Sequence, residues 1–492
     1  MLDSTYEKWI VPEHLDLTGV NFAGGDGLSL ESAYIISKPV HLLKLAEDVN
    51  GGISYGGSHF RLSCDIDLGG IVWQPIGYSS GPFDKREFCG MFDGGGHAVS
   101  NFHVENQENK SAGLFGYVEY AVIQNLHVKS FTITEGESVG GVVGYGETST
   151  VASCYAEGRI TSSSTNTGGL IGLACNCLLM NSASSVAIEA SDGNVAGGLC
   201  GYVYNGGKIY NCESFGELKA VNMGEAGGFV GSIKDSALEN CHSNVAVTAS
   251  DCGNVGGFGG LIRNCRLDWC TAKGMVNAMN EETNALVGGF VGFTNSVITR
   301  CIAVGNVLKR GTMGAVGGFV GDIVRGSIYS SYSSGNVMGE GFVGGFVGSA
   351  NCSEDVVTEI GNCYCLGSVT ANESRSSAGG FIGIVRRLGG NVVISNCYSY
   401  GTLSQKVKGF TVRDSAGSIV DCVWRMDDDG VNDGRSDGRG IQSFTTEQFE
   451  NADSFAGMGW SIYDSESIWC FVDDVIPKRP HLNGLPVHKN RR

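Results

Sequence analysis

Glycine blocks and apolar residues recur along most of the chain with a period of about 29 residues. Each copy contains two glycines, two apolar residues and a third glycine, a block that is clearest at 227–231, 288–292, 317–321 and 344–348. Aligned on the first position of the block, the copies begin at Ala112, Gly140, Gly168, Gly197, Gly227, Gly256, Gly288, Gly317, Gly344, Gly379 and Lys408. A fixed period of this length is typical of a stacked repeat architecture.

The second half of each copy places a small or apolar residue at every second position. In one copy this set runs through Cys212, Ser214, Gly216 and Leu218. A period of two indicates a strand with one buried face. A helix is excluded, because each of the frequent glycines would cost it about 1 kcal/mol. The pattern therefore predicts an all-β fold, a right-handed parallel β-solenoid (β-helix) with about eleven turns of about 29 residues.

Two ladders of equivalent residues are expected along the stack. An inward ladder of small side chains is predicted at Cys154, Ser182, Cys212, Cys241, Cys270, Cys301, Ser331, Cys363, Cys397 and Cys422. Asparagines one position earlier are predicted to stack at a corner, with their amides hydrogen-bonded along the axis. These asparagines are Asn181, Asn211, Asn240, Asn362 and Asn396.

The composition outside the repeats predicts three segments. Residues 1–111 form a lead-in, a helical cap and the first strands, 112–425 form the repeat solenoid, and 426–492 form an acidic linker and a C-terminal cap. The cap helix is expected from Lys38 or Pro39 to Val49, with Ser37 as its N-cap, and it covers the open first turn. Its apolar face consists of Leu42, Leu45, Ala46 and Val49.

The blocks Gly113-Leu114-Phe115-Gly116 and Gly169-Leu170-Ile171-Gly172 resemble the motif of the GLUG family of bacterial surface and adhesin-like proteins. The lead-in is similar to that family in Asp65-Ile66-Asp67-Leu68 and in the 92–97 segment Phe-Asp-Gly-Gly-Gly-His. In immunoglobulin-A metalloendopeptidases such modules lie outside the catalytic part. The resemblance implies a non-enzymatic, adhesin-like module at the cell surface or secreted from the cell.

The charge of the chain limits its partners. With 33 basic and 51 acidic residues the formal charge is −18, which argues against nucleic acid or an anionic membrane as a partner. No run of about 20 apolar residues predicts membrane insertion, and closed ends favour a monomer. Neither a signal peptide nor a cell-wall sorting signal is visible. Export by another route, a segment of a longer protein and an intracellular protein therefore all stay open.

Most of the 18 cysteines lie on the repeat period. Stacked side chains are about 4.8 Å apart, which is longer than the roughly 3.8 Å between the Cβ atoms of a disulfide. Free, buried thiols are therefore expected along the ladder. A disulfide between Cys64 and Cys89, or between Cys175 and a neighbour, stays open.

An aspartate-rich run at 427–438 offers the candidate metal ligands Asp427, Asp429 and Asp433. Oxygen ligands and glycine turns suit Ca²⁺. The spacing of a calcium loop is missing, because Val431 occupies the third ligand position counted from Asp429. A solvated linker is the favoured interpretation, no cofactor is expected, and calcium stays an open alternative.

An outward stripe of tyrosines is the candidate ligand-binding surface. Its members are Tyr332, Tyr364, Tyr398 and Tyr400. Tyrosine suits the faces of sugars or a host protein, although a C-terminal cap could also cover these rings. Next to the cysteine ladder, no two acidic residues occupy equivalent outward positions of adjacent turns. A polysaccharide-degrading enzyme is therefore the second hypothesis, and a structural spacer or assembly component is the third.

Overall fold

The chain forms an all-β parallel β-solenoid of about twelve turns, which confirms the predicted fold class. It divides into a first compact unit, Met1–Lys219 with Phe229–Gly231, and a second unit, Ala220–Gly228 with Ser232–Arg492. The computed structural model describes 17–79, 81, 84–105, 110–279, 284–311, 313–353, 356–371, 377–388, 391–405, 407–412, 417–426, 440–462, 468–471 and 480–482.

A complete turn passes through four faces, which we number in chain order. Face 1 precedes the asparagine corner, face 2 follows the cysteine, face 3 ends at the first glycine of the block, and face 4 begins at the fourth residue of the block. In the second unit, face 2 is often split into two short strands. One turn there consists of Ser327–Tyr329, Tyr332–Ser333, Val337–Gly339, Phe342–Gly344 and Val347–Ser353.

The first unit contributes strands to all four faces. Face 1 contains Tyr34–Ile36, His59–Leu62, Met91–Asp93, Val122–Gln124, Thr150–Ala152, Leu178–Met180 and Lys208–Tyr210. Face 2 contains Ile66–Val72, Ala98–Val104, His127–Ile133, Tyr155–Ser162 and Ala183–Ser191. Face 3 contains Ser138–Gly140, Asn166–Gly168 and Val195–Gly197, and face 4 contains Phe115–Glu119, Val143–Glu147, Ile171–Cys175 and Cys200–Tyr204. Outside the faces lie a helix and an antiparallel pair, namely Pro39–Asn50, Tyr78–Ser79 and Lys85–Arg86.

The second unit repeats the same arrangement. Face 1 contains Ala237–Glu239, Arg266–Asp268, Val297–Thr299, Ser327–Tyr329, Val357–Gly361, Asn391–Ser395 and Gly417–Val420. Face 2 contains His242–Ser250, Thr271–Ala272, Val276–Met279, Ile302–Ala303, Val307–Arg310, Tyr332–Ser333, Val337–Gly339, Tyr364–Cys365, Val369–Ala371, Tyr398–Ser399, Cys422–Arg425 and Ile441–Phe444. Face 3 contains Glu225–Gly227, Asn254–Gly256, Leu286–Gly288, Ala315–Gly317, Phe342–Gly344 and Ser377–Gly379. Face 4 contains Gly259–Arg263, Val291–Thr294, Val320–Val324, Val347–Ser353 and Ile382–Leu388.

Four further elements complete the second unit, and two strands contain residues of both units. The four elements are the helices Thr446–Phe449 and Ala452–Ala456 and the antiparallel strands Trp469–Phe471 and Pro480–Leu482. The two divided strands are Glu213–Val221 and Val230–Lys234.

Within each unit, neighbouring turns pair in parallel and in register. Val151 is paired with Leu179 on face 1 of the first unit, and Val320 with Val347 on face 4 of the second. Partners are therefore about one repeat apart in the chain, and each position of the repeat stacks on its own equivalent. This register explains why residues of one type form continuous rows.

Both predicted ladders are present. Every residue of the inward Cys/Ser ladder is at most 2% exposed. The corner asparagines have φ between 51° and 53°, in the left-handed region that asparagine tolerates better than most residues. Asn211 donates from its side-chain amide to the Asn181 Oδ1 atom at 3.1 Å, and Asn396 donates to Asn362 at 3.3 Å. The amides therefore hydrogen-bond along the axis.

The side chain at the third position of each glycine block packs in the core beside face 4. In the first unit this position is occupied by aliphatic side chains such as Leu114 and Leu170, which are fully buried. In the second unit it carries a continuous stack of phenylalanines, with ring centroids 4.8–5.0 Å apart. The stack contains Phe258, Phe290, Phe319, Phe346, Phe381 and Phe410.

The predicted cap helix is confirmed, and one detail is wrong. The helix spans Pro39–Asn50 and buries the four apolar residues named above, together with His41. Its N-cap residue is Lys38 and not Ser37, with proline at the start of the first turn. The Ser37 backbone N–H instead donates to the His41 Nδ1 atom at 3.1 Å, because Ser37 lies one residue too early to cap.

Candidate functional site

The predicted tyrosine stripe forms on face 2 of the second unit. Tyr332, Tyr364 and Tyr398 are aligned by the strand register. Their rings stack almost in parallel, with centroids 4.7 Å apart for the first pair and 4.9 Å for the second. The stripe is therefore a row of equivalent residues, as the repeat predicts.

The expectation that this stripe is an exposed surface is wrong. Tyr332, Tyr364 and Tyr398 are at most 1% exposed, and Tyr400 is 8% exposed. The C-terminal segment packs over them and forms one apolar cluster with the stripe, and the Tyr398 hydroxyl donates to the Pro480 carbonyl at 2.6 Å. The covering side chains are Phe444, Phe449, Phe455, Trp460, Ile462, Trp469 and Leu482. The alternative that a C-terminal cap covers these rings accounts for their burial.

The proposed metal ligands Asp427, Asp429 and Asp433 lie outside the described residues. Within the part of the chain that is described, no group of three or more His, Cys, Asp or Glu side chains is placed to hold a metal ion. A calcium site in the aspartate-rich run therefore stays a prediction.

A different set of tyrosines lies on face 4 of the first unit. Tyr117, Tyr145, Leu173 and Tyr202 occupy one outward row in register. Two residues further along each strand, a second row contains Glu119, Glu147, Cys175 and Tyr204. We call Tyr117, Tyr145, Tyr202, Tyr204, Glu119 and Glu147 the tyrosine–glutamate face.

The Tyr117 hydroxyl lies at the centre of this face. It is within hydrogen-bonding distance of both carboxylates, at 3.0 Å from Glu119 and 2.9 Å from Glu147. The Lys85 ammonium donates to the same hydroxyl at 3.0 Å and lies 3.4 Å from Glu147. It also lies 5.0 Å from the centroid of the Tyr117 ring. Two carboxylates on adjacent turns therefore share one phenol, and the lysine contacts that phenol and Glu147.

Exposure differs across the face. Tyr117 is fully buried, whereas Tyr145, Tyr202 and Tyr204 are half-buried. The rings of Tyr202 and Tyr204 are stacked side by side, with centroids 5.1 Å apart. The Glu147 side chain is 29% exposed. The surface therefore combines half-buried tyrosines with a partly exposed glutamate side chain.

The protonation states follow from these contacts. Burial raises the pKa of Tyr117, and its hydrogen bonds to the two carboxylates raise it further, so the phenol stays protonated. Burial also raises the pKa of Tyr204, to about 12. Burial acts to raise the pKa of Glu147, but the hydrogen bond from Tyr117 and the charge of Lys85 outweigh it. The pKa of Glu147 therefore lies below its ordinary value, and this carboxyl is ionised at neutral pH.

The outward positions next to the cysteine ladder belong to face 2, and they gave no signal for this arrangement. Glu119 and Glu147 are register partners on face 4 instead. A local signal was available in the repeated pattern Gly-Tyr-x-Glu at 116–119 and 144–147. Since side chains alternate along a strand, that spacing places both residues on the same side.

Among the described residues, the cysteines form no group of three or more with His, Asp or Glu that could hold a metal ion. All 18 are free thiols, including Cys64, Cys89 and Cys175, for which disulfides had stayed open. Burial raises the pKa of the Cys154 thiol to about 12 and raises that of Cys270 well above its ordinary value. Cys154 and Cys270 are therefore core residues with little thiolate character.

Comparison with known proteins supports the repeat assignment. Residues 135–161 match the family model described as the GLUG motif, which confirms the resemblance noted from the glycine blocks. The matched segment includes Val143–Glu147 and the first part of Tyr155–Ser162, and therefore one strand of the tyrosine–glutamate face. The chain is thus a parallel β-solenoid in which one repeat matches the GLUG motif.

Two curated proteins and one solved structure are similar to the chain. A Gly-rich membrane protein of Evansella cellulosilytica is 32% identical over 120 residues, or 23% of this chain and 13% of that protein. Halomucin of Haloquadratum walsbyi is 27% identical over 131 residues, or 23% of this chain and 1% of that protein. A crystal structure described as an immunoglobulin A1 protease from Bacteroides ovatus is 18% identical, with a TM-score of 0.29 and coverage of 95% of this chain and 97% of that one. The chain thus spans a small part of both curated relatives.

Within the described residues, the helices are too short and too polar to cross a bilayer.

Proposed function

We propose that this chain is a surface or secreted repeat module that binds carbohydrate through the tyrosine–glutamate face, in an adhesin-like role. The observation that carries the proposal is the register of face 4, which places half-buried tyrosines on two of four adjacent turns and carboxylates on the first two. A surface location is supported by the GLUG match and by similarity to a Gly-rich membrane protein and to halomucin.

The chemistry of the face suits a sugar. Partly exposed rings of Tyr145, Tyr202 and Tyr204 offer apolar area for the C–H face of a pyranose, and a tyrosine ring loses little conformational entropy on binding. Glu119 and Glu147 supply hydrogen-bond acceptors for sugar hydroxyls next to those rings. Because both carboxylates belong to the same small surface, a neutral glycan fits it better than an acidic one.

The same geometry favours binding over catalysis. A glycoside hydrolase needs one carboxyl that is protonated at the working pH and one that is ionised. Glu147 is ionised because its pKa is lowered, and it accepts a hydrogen bond from Tyr117 while it pairs with Lys85. Neutralised in this way, Glu147 is a poor proton donor and a hindered nucleophile. The polysaccharide-degrading alternative therefore has weaker support than binding.

The test is a glycan array probed with the wild-type chain and with the double variant Tyr202→Ala/Tyr204→Ala, whose folding is checked by circular dichroism. We expect the wild type to bind neutral glycans and the double variant to lose roughly tenfold or more in affinity, since two contact rings are removed. The matched control is Tyr155→Ala, which removes a half-buried tyrosine from face 2 of the same unit and should leave binding unchanged.

Three results would count against the proposal. Absence of glycan binding by the wild type favours a host-protein ligand or a spacer. Unchanged binding by the folded double variant removes the tyrosine–glutamate face from the function. Release of new reducing ends or unsaturated products from a bound polysaccharide, lost in Glu147→Gln, identifies an enzyme instead.

A further inference from the structure

A row of glycines opens a groove on face 2 of the second unit. A Cβ atom added to Gly367 would lie 1.9 Å from the Gly335 carbonyl oxygen, and one added to Gly401 would lie 1.9 Å from that of Gly367. No side chain fits at these positions, since contacts below about 3 Å do not occur in folded proteins. The surface therefore stays indented from turn to turn, with backbone as the floor.

The two neighbouring rows of side chains form the walls. The row before the glycines contains Val304, Ser334, Leu366, Tyr400 and Arg425, and the row after them contains Asn336, Ser368 and Thr402. Together they enclose a cleft of about 410 Å³. One wall is thus mainly apolar, the other is polar, and an arginine stands at one end.

The polar wall is held in place by its own hydrogen bonds. The Asn336 backbone N–H donates to Asn306 Oδ1 at 2.8 Å, and the Ser368 backbone N–H donates to Asn336 Oδ1 at 2.9 Å. The hydroxyls of Ser368 and Thr402 are 2.8 Å apart. These bonds fix the positions of the amides and hydroxyls before any ligand arrives. On the opposite wall, the buried Ser334 hydroxyl has no hydrogen-bond partner among the described residues.

The charge of the groove differs from that of the protein. The chain has a formal charge of −18, yet the walls named above contain no aspartate or glutamate. Arg425 lies over the Tyr400 ring at 4.7 Å from its centroid, which holds the guanidinium at the end of the groove. Lys273 occupies the equivalent position one turn before Val304, as the backbone hydrogen bonds of the two residues show. Arg425 therefore stands at one end of the groove, and Lys273 continues the same row one turn beyond its other end.

We propose that this groove is a second glycan site, which takes an acidic polysaccharide that carries carboxylate groups. Arg425 and Lys273 pair with the carboxylates, the amides and hydroxyls of the polar wall bond the sugar hydroxyls, and Val304 and Leu366 contact the apolar faces of the sugars. The groove runs along the stack, so consecutive sugars meet equivalent residues of consecutive turns. The site is independent of the neutral-glycan proposal, because it lies in the other unit and selects the opposite charge.

The test is isothermal titration calorimetry of the whole chain with an oligogalacturonate at moderate salt. The same titration is run with a sulfated glucan, a neutral glucan oligomer, poly-glutamate and a single-stranded oligonucleotide. We expect binding of the uronate, at least tenfold weaker binding of the sulfated polymer, and no measurable binding of the other three. Arg425→Gln should weaken uronate binding at least tenfold, and Thr402→Val should weaken it severalfold by removing one hydroxyl of the polar wall. The matched control is Arg266→Gln, which removes an exposed arginine from face 1 of the same unit.

Each contrary result has a defined meaning. Equal binding of poly-glutamate or of the oligonucleotide would show charge attraction without a sugar site, and unchanged affinity in Arg425→Gln would remove the groove from the interaction. Stronger binding of the sulfated polymer would overturn the choice of carboxylate. Tyr202→Ala/Tyr204→Ala should bind the uronate normally, and Arg425→Gln should bind neutral glycans normally, so the two proposals can fail separately.

Discussion

Replacing Lys309 by methionine is expected to stabilise the protein at neutral pH by about 1 to 3 kcal/mol. Lys309 lies in the strand Val307–Arg310, where its register partner on the preceding turn is Ala278. The lysine side chain is fully buried, and its Nζ atom donates to the Gly311 carbonyl at 2.6 Å. Methionine has a similar length and no charge, so it fills the same space without a desolvation cost.

The magnitude follows from the pKa of this lysine. Burial lowers the pKa of Lys309 from 10.5 to about 8, and the attraction of the Glu340 carboxylate offsets only part of this decrease. A difference of this size corresponds to about 3 kcal/mol between the charged and neutral forms. Because the pKa is lower in the folded state, the unfolded state binds more protons between pH 8 and 10.5. Lys309 therefore destabilises the fold fully below pH 8, and stability recovers as the pH rises towards 10.5.

The assay is urea unfolding of the wild type and Lys309→Met at several pH values from 7 to 10.5. The stability difference between the two proteins should be largest at pH 7 and should vanish near pH 10.5, while other titrating groups cancel in the comparison. Lys234→Met is the control, since the Lys234 side chain is 51% exposed and its removal should produce no such trend. A stability difference that stays constant across this range would refute the reasoning.

Three further predictions test the core and the C-terminal cover. Phe319→Ala should lower the free energy of unfolding by about 3–5 kcal/mol in urea titrations, because rings stack on both of its sides; a loss below 1 kcal/mol would contradict a continuous stack. Tyr398→Phe should cost about 1 kcal/mol and accelerate limited proteolysis after residue 440, since the bond to Pro480 is lost; unchanged cleavage would argue against that anchor. Ellman's reagent should label at most three thiols before urea and 18 after it, because the others are buried. More than three fast-reacting thiols would show that the ladder opens. The partly exposed thiols are Cys64, Cys89 and Cys470.

The repeat made the backbone predictable. A residue such as Cys241 or Asn240 stands in an environment that every turn reproduces, so its role can be inferred from its period alone. The Asn corners and the inward thiols were confirmed on that basis, and the helix with its buried Leu42 and Leu45 was confirmed from its local sequence pattern. Each of these features depends on neighbours that are local or exactly one turn away.

The candidate sites depended on information that the repeat does not contain. The exposure of Tyr364 depends on its contact with Trp469, which lies more than a hundred residues later in the chain. No pattern near Tyr364 indicates that packing. Predicting the glycine groove would have required the register of five turns together with the position of the arginine at its end. The tyrosine–glutamate face was detectable in principle, because its Gly-Tyr-x-Glu spacing is repeated, but the choice of face 4 required knowing which residues of the turn point outward.

The sequence by itself thus determined the period, the strand alternation and the identity of the core rows, because stacking converts a chain repeat directly into contacts between equivalent residues. Only the tertiary structure decided which outward rows stay exposed and which are covered. It also placed the charge of Lys309 in the core and the charges of Arg425 and Lys273 beside a groove. These outcomes depend on contacts and solvent access that involve non-repeating residues, and a periodic pattern carries no information about them.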